Sequence, residues 1–179
     1  MDLVRRSRVL VIGLLAFSVV VSACASTNET EADTLVGQAG AANELAPDFT
    51  VPTASGGTFS LSQHLANDGR PVFLNLWASW CFPCREEMPD IEASSLEFTD
   101  ILFIGVAVQD SRADADAFRK EVAVTYEIGF DEDDSVDIAY SPLGLPASYI
   151  ISSEGVILER IFGKMTEQDL AEKFEAHFG

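Results

Sequence analysis

The run Val72-Phe73-Leu74-Asn75-Leu76-Trp77 is apolar at every position but one. A strand with one wet face alternates apolar and polar residues. A nearly continuous apolar run belongs to a strand buried on both faces. Such a strand needs helices above and below it, so the chain is constrained toward an α/β layer arrangement. Just beyond it stands Trp80-Cys81-Phe82-Pro83-Cys84, two cysteines three apart where a helix is predicted to begin.

The flanking sequence repeats the alternation. Ala46-Pro47-Asp48-Phe49-Thr50-Val51 reads as extended, with Pro47 blocking a helix, and Ser55-Gly56-Gly57 turns the chain back into Thr58-Phe59-Ser60-Leu61. That predicts an N-terminal β-hairpin. Ser62 is expected to cap a short helix through Ala66, ended by Asn67-Asp68-Gly69. A helix follows from about Phe82 to Phe98, a second buried strand from Ile101 to Val108, and an Ala-rich helix capped by Ser111. Glu127–Phe130 reads as a short strand and Ser135–Tyr140 as a short helix. Ala147–Ile151 and Val156–Phe162 flank the turn Ser152-Ser153-Glu154-Gly155, hence an antiparallel pair. Thr166 caps a last helix with Leu170, Phe174 and Phe178 on one face. The expected fold is α/β, a central mixed β-sheet flanked by helices, in one domain over residues 45–179. No internal repeat is visible.

The first segment reads as an address. Arg5, Arg6 and Arg8 precede an uncharged stretch from Val9 to Val21, about 20 Å as a helix and short of a roughly 30 Å hydrocarbon core. A secretory signal over residues 1–23 fits better than a permanent span. Val21-Ser22-Ala23-Cys24 resembles the bacterial lipobox, which implies that Cys24 is lipidated and becomes the mature N-terminus. The alternative is an ordinary signal peptide with an incidental Cys24. Residues 24–44 are small, polar and acidic, and read as a flexible tether.

Charge narrows the partners. There are 11 Lys and Arg against 29 Asp and Glu, a net charge of −18. Cleavage before Cys24 would leave 8 basic and 28 acidic residues, net −20. Nucleic acid is excluded as a partner, because phosphate contacts need a basic face. An anionic membrane surface would repel the domain, leaving the lipid as its only hold.

The chemistry lies at the two central cysteines. Cys81 falls at a helix N-terminus, where unpaired N–H groups and the helix dipole stabilise a thiolate. Cys84 lies one turn in, suited to resolving a mixed disulfide. Pro83 costs little in the first turn. A structural zinc site would need four ligands, and only His64 and His177 remain, far apart and expected at the surface. A purely structural disulfide would close too short a loop to constrain the unfolded chain much. A peroxiredoxin would place Pro and Thr seven and three residues before its reactive cysteine, where this chain has Leu74 and Ala78.

The run from Phe73 through Pro89 resembles the thioredoxin superfamily, and more narrowly the extracytoplasmic TlpA/ResA-like thiol-disulfide oxidoreductases. The resemblance covers residues 45–179 and implies a thioredoxin-like fold, a redox-active Cys81–Cys84 disulfide and no cofactor or metal. Gly144-Leu145-Pro146-Ala147-Ser148-Tyr149 matches the family's cis-proline loop. Pro146 would face the cysteines, Leu145 would offer backbone groups to an extended substrate, and Trp80 would lie partly exposed beside the thiols. Where cytoplasmic thioredoxin has a buried Asp, this chain has Asn75. Glu87, three residues after Cys84, matches a family glutamate that would raise the thiol pKa values and relay a proton; the alternative is a solvated helix residue, as expected of Glu86. Asp131-Glu132-Asp133-Asp134 lacks the spacing of an EF-hand and reads as a solvated loop capping the helix at Ser135.

The resemblance implies an enzyme tethered to the outer face of the cell membrane, exchanging disulfides with exported proteins and served by a membrane electron donor or acceptor. Reductase is favoured, for instance in cytochrome c maturation; a disulfide-forming oxidase is the alternative. The competitor of another class is a non-catalytic, lipid-anchored binding domain.

Overall fold

A computed structural model describes residues 44–179; the signal and lipidation readings and the tether up to residue 43 lie outside the described residues. Glu44, expected as the tether's last residue, is instead held to the domain by the Ile157 N–H and by Arg160. Five strands form the central sheet in the order β5-β4-β3-β6-β7. β3 (Val72–Trp77) is its middle strand and is buried along its whole length. It pairs in parallel with β4 (Leu102–Ala107), which pairs in parallel with β5 (Glu127–Phe130). On its other side β6 (Ala147–Ile151) runs antiparallel, followed by β7 (Ile157–Phe162). The sheet is mixed, as the sequence predicts.

The N-terminal hairpin, β1 (Thr50–Pro52) and β2 (Thr58–Ser60), forms a separate two-stranded sheet. A bridge from Thr53 to Gly129 ties it to β5. Gly129 is required there, since a Cβ on it would stand 2.5 Å from Val51 Cγ2.

The helices are α1 (Leu61–Asn67), α2 (Phe82–Glu97), α3 (Arg112–Val122), α4 (Ser135–Tyr140) and α5 (Glu167–Phe178). α2 turns Cys84, Glu87, Met88, Ile91 and Ser94 inward, the spacing of one helical face. Pro89 lies within it and removes the N–H that would reach the Arg85 carbonyl. α5 is held by a capping box between Thr166 and Asp169 and buries Leu170 and Phe174. Phe174 meets Phe73 and Phe103 edge-on, which locks α5 to the sheet beneath α2.

Two expectations are corrected. The cap of α1 is Ser60, whose Oγ accepts the Gln63 N–H, because β2 runs directly into the helix. Ser62 lies inside the first turn, its N–H donating to Asp48. The acidic run does cap α4, with Asp133 accepting the Ser135 N–H, but it is not all solvated. Asp131 is buried, and its carboxylate accepts the N–H groups of Val136 and Asp137 at the start of α4.

Candidate active site at the start of α2

β3 delivers the chain to Ala78-Ser79-Trp80, and α2 begins at Phe82 with Cys81 as its N-cap. The Cys84 N–H donates to Cys81 Sγ at 3.2 Å, so the helix start directs a donor at that sulfur. The two cysteines are joined in a disulfide, with Cα atoms 5.3 Å apart. Cys84 is fully buried and Cys81 is 4 % exposed. Any access is therefore through Cys81. Pro83 occupies the first turn, where no intrahelical bond is lost.

The loop before the cysteines is pinned from the β4–α3 connection. Asp110 Oδ2 accepts the Ser79 N–H at 2.6 Å, and the Gln109 carbonyl accepts the Trp80 indole N–H at 3.0 Å. Trp80 is nonetheless 61 % exposed and Phe82 68 %, an apolar rim beside nearly covered sulfurs. Arg85, the cation nearest in sequence, points away. It pairs with Glu121 on α3 and lies over the Phe118 ring, which stacks on Trp77.

Glu87 is completely buried. Its Oε1 accepts from Asn75 Nδ2 at 2.8 Å and its Oε2 from the Met165 N–H at 3.2 Å. Asn75 also donates to Ser148 Oγ at 3.0 Å, across the β3–β6 pairing. Burial pushes the Glu87 carboxyl up to about 7; the two hydrogen bonds oppose the rise and Asp90 adds to it. Glu86 beside it faces solvent and pairs with Lys164.

The Leu145–Pro146 peptide bond is cis. Pro146 is buried, and Leu145 packs against the cluster that holds Cys81 and Cys84. The sequence-predicted residues Trp80, Cys81, Cys84, Leu145 and Pro146 thus come together, with Glu87 beneath on the same helix. The histidines serve elsewhere: His64 meets the Arg70 carbonyl and His177 pairs with Glu159. Gln109 and Asp110 escaped the sequence reading, since a polar pair after a buried strand looks like any loop.

This fold, with a disulfide closing the first turn of the helix after the central strand and the residue before a cis-proline packed against the cysteine cluster, defines a thioredoxin-like thiol-disulfide oxidoreductase. The chain belongs to the AhpC/TSA family, whose model matches residues 42–160. It is 34 % identical over 137 residues to the thioredoxin-like protein YneN of Bacillus subtilis, covering 74 % of this chain and 78 % of that protein. It is 30 % identical to the thiol-disulfide oxidoreductase ResA of Geobacillus kaustophilus, covering 76 % and 78 %. Among solved structures it matches a thiol:disulfide interchange protein of the thioredoxin family from Chlorobium tepidum. That match has a TM-score of 0.67 at 25 % identity, covering 76 % of this chain and 97 % of the other.

Proposed function

We propose that the protein works as a reductase of exported proteins, held at the outer face of the cell membrane by a lipid on Cys24. In the reduced form the Cys81 thiolate attacks a substrate disulfide and releases one substrate thiolate, which takes its proton from solvent. Cys84 then attacks Cys81 Sγ in the mixed disulfide, releasing the second. Two electrons pass to the substrate, and the Cys81–Cys84 disulfide is left for a membrane electron donor to reduce. Trp80, Leu145 and Pro146 form the docking face. The proton that Cys84 must lose passes to the Glu87 carboxylate one turn away.

The observation that carries the direction is buried Glu87. A strong oxidant of this kind has its reduced form stabilised as a thiolate. Here the helix start offers one donor to Cys81, while Arg85 is engaged by Glu121. A buried carboxyl group beside the pair opposes a second negative charge. The reduced form therefore gains little, and the dithiol gives up its electrons readily. Equilibration with a glutathione buffer tests this. The potential should lie nearer the roughly −270 mV of thioredoxin than the roughly −120 mV of a strong oxidant. A value at the oxidising end would establish the oxidase instead.

A further inference from the structure

Gln109 has a positive φ of 51°, a conformation that glycine adopts freely and a side chain resists. It lies in the exposed loop between β4 and α3, with no burial to hold it there. Its polar groups reach in two directions. The backbone carbonyl takes the Trp80 indole N–H at 3.0 Å, and the side-chain Nε2 donates to both carboxylate oxygens of Asp137, each at 3.0 Å. Asp137 is in the first turn of α4, whose start is fixed by the buried Asp131 carboxylate. From the far end of α4 the chain runs through exposed Leu143 to Leu145 and Pro146.

The two arms of the docking face, the Trp80 loop and the α4–Pro146 segment, are thus joined through one residue. We propose that Gln109 is a positioning residue that sets Trp80 against the α4–Pro146 arm and so governs recognition of protein disulfides. It touches neither sulfur, and a glycine in its place would satisfy the backbone while leaving Asp137 unlinked. A small disulfide needs only the Cys81 sulfur; a protein disulfide must also fit between the arms. The proposal rests on the reading that Trp80 and Pro146 flank the docking face, and is independent of whether the protein acts as reductase or oxidase.

The test uses the pre-reduced full chain in single turnover, with insulin as the protein disulfide and hydroxyethyl disulfide as the small one. Gln109→Glu sets a carboxylate against Asp137. It should lower the rate constant for insulin about threefold to tenfold, the scale of one solvent-exposed hydrogen bond. The constant for hydroxyethyl disulfide should stay within about twofold. Adding Asp137→Asn restores a donor–acceptor pair with its direction reversed, and should recover the insulin rate. Gln109→Gly, which relaxes the backbone and keeps the carbonyl for Trp80, should show the same selective loss. Equal losses with both disulfides, an unchanged insulin rate, or no recovery in the double variant would each overturn the assignment. A wild-type protein inert to both disulfides would instead remove the thiol-exchange reading beneath it.

Discussion

The Asn75 amide donates to the Glu87 carboxylate at 2.8 Å in a place where neither side chain meets solvent. β3 and α2 are therefore joined beneath the cysteines by a polar contact whose strength depends on pH. Asn75 cannot itself accept a proton, which leaves Glu87 as the acid–base group on this side of the disulfide.

That carboxyl titrates at about 7 in the fold, against an ordinary value of 4.5. The folded protein holds the proton more tightly than the unfolded chain, so stability falls as pH rises from about 4.5 through about 7. Above that window the cost is about 3 kcal/mol. Glu87→Gln cannot ionise and should flatten this dependence. Urea unfolding of oxidised wild type and variant at pH 5 and pH 8 measures it: the difference between the two proteins should change by about 2–3 kcal/mol. Parallel pH profiles would mean that Glu87 is ionised throughout.

The cysteines should behave unequally. Cys84 is fully buried, and Cys81 carries what little exposure the pair has, together with the donor from the helix start. Cys84→Ala should trap mixed disulfides between Cys81 and substrate proteins, visible on non-reducing gels. Cys81→Ala should trap none. Equal trapping by both variants would reverse the order of attack or make it indifferent.

Most of the fold is legible in the sequence because its signals are local. The bounds of β5, α4 and β6 follow from apolar runs cut off by turn residues. Thr166 and Ser111 announce their helices by capping. The misplacement at α1 has a specific cause: Ser60 and Ser62 are both competent caps, and the choice falls to how β2 pairs with β1. Asp131 shows the same limit, since four adjacent acids look alike until one is folded under α4. Glu87 interrupts the inward stripe of α2, so a hydrophobic pattern alone would expel it; its i,i+3 spacing from Cys84 puts it on the thiol's face, and the family resemblance gives it a role there. Gln109 is out of reach altogether, because its partners lie in the loop before α2 and in the first turn of α4, and its conformation is that of a glycine.

The proposed lipid anchor is tested by Cys24→Ala. With 8 basic and 28 acidic residues from Cys24 onward, the chain has no net attraction to an anionic bilayer. Nor do residues 25–44 hold a basic patch. Detergent-phase partition should place the full-length protein with the membrane fraction and the variant in the aqueous one. A variant that stays with the membrane, its signal uncleaved, would make residues 9–21 the anchor.

Gly129 offers a test of how the hairpin is held. β5 is an edge strand of the sheet, and the hairpin lies close against it, with the Ala54 N–H donating to the Ile128 carbonyl at 2.8 Å. A Cβ at position 129 would meet Val51 Cγ2 at 2.5 Å, well inside contact distance, and Val106 Cγ2 at 3.5 Å, which is ordinary packing. The conflict is thus with a single valine methyl. Val51 is 2 % exposed and belongs to the same core cluster as Phe49 and Leu61, so it has little room to withdraw. Gly129→Ala should destabilise the domain by about 1–3 kcal/mol, as overpacking does. Val51→Ala alone should cost about 1–3 kcal/mol through the lost methyl groups. Together the two should cost clearly less than their sum, because the new methyl fills the space the valine leaves. Denaturant midpoints for the four proteins close the cycle. Additive losses would mean that the hairpin yields to the new methyl by moving off β5 rather than by resisting it at Val51.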